Sequence, residues 1–184
     1  MIFSKQITTR NGKAITLRPP RFEDLDSMLT FANDMVAERK EDPDFGVVFD
    51  QKQTRESEAV YLKNLLSDVE AGRVISVMAE SDGRIVGSSR IIRGTLSDTR
   101  HYGELHISIS KGYRNIGLGF QMIHGLLEES SKAGVKVVGL EVFESNKRAI
   151  HLYEKIGFKK VGLIPKRIYR NGRFINNVIM TIEI

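Results

Sequence analysis

The turn at residues 113–119, which reads Y-R-N-I-G-L-G, is the first place where residue types and spacing suggest chemistry. It lies between a segment typical of a strand and a segment typical of a helix. The first turn of a helix leaves backbone N–H groups without intrahelical partners, and the helix dipole adds partial positive charge. Gly117 and Gly119 remove side chains that would keep a phosphate away from this backbone. The pattern predicts an anion-binding turn, although the same glycines would also suit a tight turn and close helix packing.

Two other phosphate-binding patterns do not fit this chain. The G-x-G-x-x-G fingerprint of dinucleotide-binding folds is absent, and so is the G-x-x-x-x-G-K-[ST] loop of nucleoside triphosphatases. The short pattern R-x-x-G-x-G identifies no ligand alone, so its interpretation depends on what accompanies it in the chain.

A second string, N-K-R-A-I-H-L-Y-E-K-I-G-F, occupies residues 146–158, about thirty residues after the first. Asn146 is a good helix N-cap, and Gly157 is a typical stop after the last helical turn. Tyr153 lies among apolar residues of this short helix, a position that also suits a core aromatic. In this order and at this distance, the two strings resemble the signature motifs of the GNAT superfamily of N-acetyltransferases.

This resemblance implies acetyl-CoA as cosubstrate. The turn would wrap the pyrophosphate, the main chain at Ile107 and Ile109 would bond the pantetheine arm, and a backbone N–H near Ile109 would face the thioester carbonyl. Asn146 would contact the cofactor arm as well as cap its helix. The cofactor-binding residues implied in this way are Ile107, Ile109, Arg114, Asn115, Ile116, Gly117, Leu118, Gly119, Asn146 and Tyr153. The chain departs from the commonest family pattern at one point, because Asn-Ile occupies the pair at 115–116 that is often Gly-Lys.

Acetyl transfer to an amine also needs acid–base groups. An alkylammonium with an ordinary pKa of about 10.4 must lose a proton, and the departing thiolate gains from receiving one. By resemblance, Tyr153 is the general acid and Glu104 is the candidate general base. A solvated or salt-bridged strand glutamate is the equal alternative for Glu104, and His106 on the same strand face is the fallback base.

Hydrophobic periodicity predicts an α/β fold with a mixed sheet flanked by helices. The predicted helices cover 25–36, 62–69, 117–132 and 146–156. The predicted strands include 15–18, 74–79, 84–92, 104–109 and 137–143, with a final hairpin around 171–172. The order β-α-α-β-β-β-α-β-α-β-β predicts a single domain over residues 1–184. It is also the order of the GNAT fold, which has a counterpart for every element from Ile15 to Ile182.

Composition limits the partners. The 184 residues carry a formal charge of +5, no cysteine and no apolar run long enough for a membrane span. The histidines lack metal-site spacing, so no metal is expected. No Ser-His-Asp hydrolase signature is present.

A cytoplasmic location is the simplest expectation. The basic stretch 159–173 lacks a recognisable nucleic-acid module, so a nucleic-acid partner is not expected. A homodimer is left open.

Two questions stay open from the sequence. A CoA-binding regulatory or interaction domain without chemistry is the alternative to an N-acetyltransferase. The acceptor amine is also unidentified, and small amines, polyamines and peptide amines all remain. Acidic residues between the first two helices, which would suit a cationic amine, are Glu38, Glu41, Asp42, Asp44 and Asp50.

Overall fold

The computed structural model describes residues 4–42, 45–47 and 49–184. Its strands are β1 (Lys5–Thr8), β2 (Ala14–Arg18), β3 (Val74–Ser81), β4 (Arg84–Arg93), β5 (Tyr102–Ile109), β6 (Val137–Phe143), β7 (Lys159–Arg170) and β8 (Arg173–Glu183). Its α-helices are α1 (Leu25–Glu41), α2 (Arg55–Glu70), α3 (Leu118–Lys132) and α4 (Lys147–Ile156). The described strands form one sheet in the order β1-β2-β3-β4-β5-β6-β8-β7.

The predicted fold class and element order are confirmed, with one strand added at the start. Strand β1 pairs antiparallel with β2, for example Ile7 with Ile15. Its four residues are mostly polar and only Ile7 packs against the core, so no clear period marked it in the sequence. Pairing with β2 therefore decides the conformation of this segment.

Helices cover both faces of the sheet. Helices α3 and α4 pack on one face through a cluster that includes Met122, Ile123 and Ile150. Helices α1 and α2 cover part of the other face through a second cluster that includes Met28 and Leu62. Because successive strand side chains alternate between faces, the apolar residues of β5 face α3 and its polar residues face the opposite side.

The contact between β5 and β6 is the one parallel pairing among the described strands, and it is short. It joins Tyr102 to Val137, Gly103 to Val138 and Glu104 to Gly139. Beyond these pairs β5 continues to Ile109 without a strand on that side, while β6 stays paired with β8. The two strands therefore diverge and leave an open edge of β5.

A testable consequence of this packing lies at Gly103. A Cβ there would overlap the Cγ2 atom of Ile91, a fully buried residue. We expect Gly103→Ala to lower the free energy of unfolding by about 1–3 kcal/mol, because inserted atoms force a packed core to shift. Urea unfolding measures it, with Gly112→Ala as the matched control, since a Cβ at Gly112 meets nothing within 4 Å. Equal stabilities for the two variants would contradict this account.

Candidate active site

The predicted anion-binding turn connects β5 to α3. Asn115 has a φ of 63° and Gly117 a φ of 91°, both in the left-handed region, and α3 begins at Leu118. No side chain caps this helix N-terminus, whereas Asn146 caps α4 by accepting a hydrogen bond from the N–H of Ala149 at 3.1 Å. The first-turn N–H groups of α3 are therefore available to an external acceptor.

Backbone conformation explains one glycine of the turn, and close packing explains the other. Gly117 adopts a φ that L side chains rarely adopt. At Gly119 a Cβ would lie 3.0 Å from Leu152 Cδ2 and 3.3 Å from Ile109 Cδ1, so this glycine lets α3, α4 and β5 approach closely. The side chain of Leu118 is buried in the core, which leaves its backbone as the group that faces the turn. Close packing and anion binding are thus compatible here.

The Arg114 side chain is engaged inside the protein. Its Nε donates a 2.7 Å hydrogen bond to the carbonyl oxygen of Ile109. Both terminal nitrogens bond the carboxylate of Glu38 on α1, with Nη2 2.7 Å from Oε2. Its guanidinium carbon lies 4.7 Å from the centre of the Phe45 ring. Arg114 therefore ties the turn to α1 and to the segment that follows it. Glu38, 76 residues earlier, gave no sequence signal of this pairing.

A second arginine holds the segment 45–47 from the other side. Arg170, at the end of β7, is buried and donates 2.7 Å hydrogen bonds to the carbonyl oxygens of Phe45 and Val47. A Cβ at Gly46 would lie 3.8 Å from the Asn146 side-chain nitrogen, so the segment passes close to the α4 N-cap.

The acidic residues predicted near an acceptor have mixed placements. Glu38 is paired with Arg114, and Asp50 lies 3.5 Å from Arg39. Asp44 lies outside the described residues. Glu38 and Asp50 are therefore engaged by neighbouring arginines.

Tyr153 lies in the cluster between α4 and the sheet. Only 8% of its surface is exposed, and its ring meets Phe158 edge-on with the centroids 5.7 Å apart. Ile107 and Ile109 pack against the same cluster. Burial raises the pKa of Tyr153 from 10.0 to about 12, because a phenolate would lose its hydration there. Burial in the core therefore favours the protonated form of the Tyr153 phenol.

The raised pKa makes stability depend on pH in a known direction. The protonated phenol contributes fully below pH 10, and its contribution is lost as the pH rises toward about 12. We expect wild type to lose roughly 1 kcal/mol more stability than Tyr153→Phe between pH 10 and pH 11. Urea unfolding at each pH measures this, and the variant cancels the titrations that both proteins share. Parallel pH dependences would contradict the assignment.

The polar face of β5 carries the two base candidates side by side. Nε2 of His106 lies 3.4 Å from Oε1 of Glu104, and both side chains are about half exposed. Burial lowers the pKa of His106 below its usual 6.5, and the positive charge of Arg90 on β4 lowers it further. Glu104 and Glu141 act in the opposite direction without reversing the shift. His106 is therefore neutral near pH 7 and can accept a proton.

Sequence reasoning missed Glu141, which extends this polar face onto β6. Asn177 of β8 donates to Glu141 Oε2 at 2.9 Å, and Arg167 of β7 bonds the same oxygen at 3.1 Å. Burial alone would raise the pKa of Glu141, but these two hydrogen bonds bring it below its ordinary value. Glu141 is therefore ionised at neutral pH. Its partners lie 26 and 36 residues away in the sequence, so no local pattern indicated the cluster.

Several residues of the basic stretch 159–173 have partners within the protein. Lys160 lies 3.0 Å from Glu154, Arg167 contacts Glu141, and Arg170 holds the segment 45–47. Within the described ranges, no group of three or more His, Asp or Glu residues could hold a metal ion. None of the described helices is long and apolar enough to span a bilayer.

Comparison with known proteins agrees with this architecture. The family model described as "Acetyltransferase (GNAT) family" matches residues 34–158. The chain therefore belongs to the GNAT family of acetyltransferases. An acetyltransferase of the GNAT family from Streptococcus pneumoniae superposes with a TM-score of 0.80 at 26% identity, covering 92% of this chain and 99% of that one. YncA from Salmonella typhimurium, a structure determined with acetyl-CoA, has a TM-score of 0.78 at 16% identity, with 92% and 93% covered.

Curated relatives match over a shorter part. An uncharacterized N-acetyltransferase of Mycobacterium bovis is 34% identical over 99 residues, which are 54% of this chain and 60% of that protein. The chain spans 55–60% of the length of the first curated relatives that it matches.

Proposed function

We propose that this protein is an acetyl-CoA-dependent N-acetyltransferase that transfers an acetyl group from sulfur to a primary amine. The observation that carries this proposal is the junction of an open β5 edge with the uncapped N-terminus of α3. A strand edge offers backbone hydrogen-bonding groups to an extended amide-containing arm, and a helix N-terminus suits a phosphate. Family membership and the acetyl-CoA present in YncA support the same ligand.

The residues around this junction fit acetyl-CoA. The main chain of residues 114–119 would receive the pyrophosphate, and the main chain at Ile107 and Ile109 would bond the pantetheine arm. Asn146, with its Oδ1 engaged as the α4 cap, would have its side-chain amide N–H left for the cofactor arm. In this proposal the Arg114 side chain positions the turn, because its guanidinium already bonds Glu38 and Ile109.

The proposed proton transfers use residues on the two faces of β5. Glu104, with His106 beside it, would accept the proton that the amine loses on attacking the thioester carbonyl. Tyr153, whose phenol is protonated at neutral pH, would donate a proton to the departing CoA thiolate. Backbone N–H groups of the β5 edge would stabilise the oxyanion, often the largest electrostatic term in acyl transfer.

The acceptor proposed is a small amine or a peptide amine that is cationic before it reacts. Glu104, whose side chain is about half exposed, would attract an ammonium group, whereas the charge of the neighbouring Glu141 is shared with Arg167.

A panel of amines and peptides tests the proposal. We expect release of free CoA from acetyl-CoA with at least one primary amine, followed with a thiol reagent, and no release without an acceptor. Acetyl-CoA binding without thiol release for any amine would favour the alternative of a CoA-binding regulatory domain. Absence of both binding and release would overturn both functions.

Removing the phenol hydroxyl tests the general acid. We expect Tyr153→Phe to lower the turnover number by roughly 10²-fold, the usual scale for general acid catalysis. Tyr169→Phe is the matched control, because Tyr169 is 67% exposed and contacts Phe174 at the β7–β8 hairpin with the ring centroids 5.0 Å apart. Steady-state kinetics at saturating acetyl-CoA measures both variants. Near-normal turnover in Tyr153→Phe would reduce Tyr153 to a packing residue.

Exchange of the carboxylate for an amide tests the base. We expect Glu104→Gln to be slow near neutral pH and to recover at high pH, where free amine is already present in solution. Glu183→Gln, an exposed change at the end of β8, is the matched control. Full pH–rate profiles separate a lost base from a damaged fold, which would lower activity at every pH. Profiles of the same shape and height would leave Glu104 as a structural residue.

A further inference from the structure

The phosphate-binding turn has no free cation at the residues next to its helix N-terminus. Arg114 is engaged by Glu38 and by the Ile109 carbonyl. The next two residues, Asn115 and Ile116, are neutral. A pyrophosphate at this turn would therefore meet backbone N–H groups without a counter-charge from residues 114–116.

The β1–β2 hairpin brings a cation to this place. The N–H of Arg10 donates a 3.1 Å hydrogen bond to the carbonyl oxygen of Ile116. A Cβ at Gly117 would lie 3.9 Å from Arg10 Nε and 4.0 Å from its Cγ, so the arginine side chain runs beside the glycine that precedes α3. Backbone and side chain together place Arg10 at the open helix end.

Contacts within the β1–β2 hairpin and from Lys13 to the chain before α3 support the position of Arg10. Within its turn, Thr9 N–H donates to the Lys13 carbonyl at 2.9 Å, and Gly12 N–H donates to the Thr9 carbonyl at 2.9 Å. The Lys13 ammonium lies 3.4 Å from the Gly112 carbonyl oxygen and 3.9 Å from the centre of the Tyr113 ring. Lys13 therefore fastens the hairpin to the residues before the turn.

The Arg10 guanidinium has no hydrogen bond or ion pair in the part of the chain that the structure describes. An exposed guanidinium beside an uncapped helix N-terminus repels the partial positive charge of that helix end unless an anion lies between them. Arginine binds phosphate oxygens through two parallel N–H donors. Both features point to a phosphate as the partner of this side chain.

We propose that Arg10 binds the pyrophosphate of acetyl-CoA and supplies the cation that residues 115–116 lack. This inference rests on the proposed function, which places the pyrophosphate at residues 114–119. The β1–β2 hairpin is then part of the cofactor site, although it lies about a hundred residues before the turn in the sequence.

Calorimetric titration with CoA, without an acceptor, tests the proposal. We expect Arg10→Gln to weaken CoA binding about tenfold, the scale of a lost charge-assisted hydrogen bond. Arg10→Lys keeps the charge and should lose less. Arg100→Gln is the matched control, because Arg100 is exposed and precedes β5, whereas the turn follows β5; this variant should bind CoA as wild type does. Equal losses in Arg10→Gln and Arg10→Lys, or no loss in Arg10→Gln, would overturn the proposal.

Titration with a second ligand tests which phosphate of CoA Arg10 contacts. With 3′-dephospho-CoA, Arg10→Gln should show the same fold loss as with CoA, because the pyrophosphate is present in both. A loss confined to CoA would overturn the assignment to the pyrophosphate.

CoA binding to Gly117→Val distinguishes a failure of the Arg10 proposal from a failure of the proposed function. A side chain at Gly117 would obstruct phosphate approach, so this variant should lose CoA binding if the turn is the cofactor site. Lost binding in Gly117→Val with unchanged binding in Arg10→Gln would overturn the role of Arg10 alone. Normal binding in Gly117→Val, with the fold intact by circular dichroism, would overturn the placement of the cofactor and the role of Arg10 with it.

Discussion

Backbone hydrogen bonding between β5 and β6 ends at Glu104 and Gly139, and the organisation of the site depends on this early end. Backbone polar groups beyond that point need another partner, because an unpaired polar group shielded from water costs free energy. The chain leaves β5, forms the turn and enters α3, so the open strand edge and the open helix end are consecutive. An extended ligand with amides at one end and phosphates at the other is complementary to that sequence of groups.

Two arginines contact the loop before α2, one from the turn and one from the end of β7. Arg114 links the turn to Glu38 and to the Phe45 ring, and Arg170 bonds the carbonyl oxygens of Phe45 and Val47. The Glu38 side chain is largely shielded from solvent, with 10% of its surface exposed, so its pairing with Arg114 is screened less than a surface pair. The turn, α1 and the end of β7 are therefore connected through this loop, although they lie in distant parts of the chain.

The two sides of β5 carry different titratable groups. On the α3 and α4 side lies the protonated phenol of Tyr153, whose pKa burial raises to about 12. On the other side, burial and Arg90 keep His106 neutral beside Glu104, so that face presents proton acceptors. Strand β5 thus separates the phenol from the imidazole and the carboxylate, since alternate side chains of a strand point to opposite faces. In the proposed function, the phenol would serve as the general acid and the groups on the other face as the general base.

Local patterns in the sequence determined the order of the helices and strands, the turn before α3 and the cap at Asn146, because each depends on residues a few positions apart. The tertiary structure decided which charges meet. Arg114 pairs with Glu38, Glu141 with Asn177 and Arg167, and Arg10 lies beside Gly117, each across 26 or more residues. No periodicity encodes such pairs, since strand pairing and helix packing bring them together only when the whole sheet forms. The weakly patterned strand β1 belongs to the same class, because its conformation depends on pairing with β2.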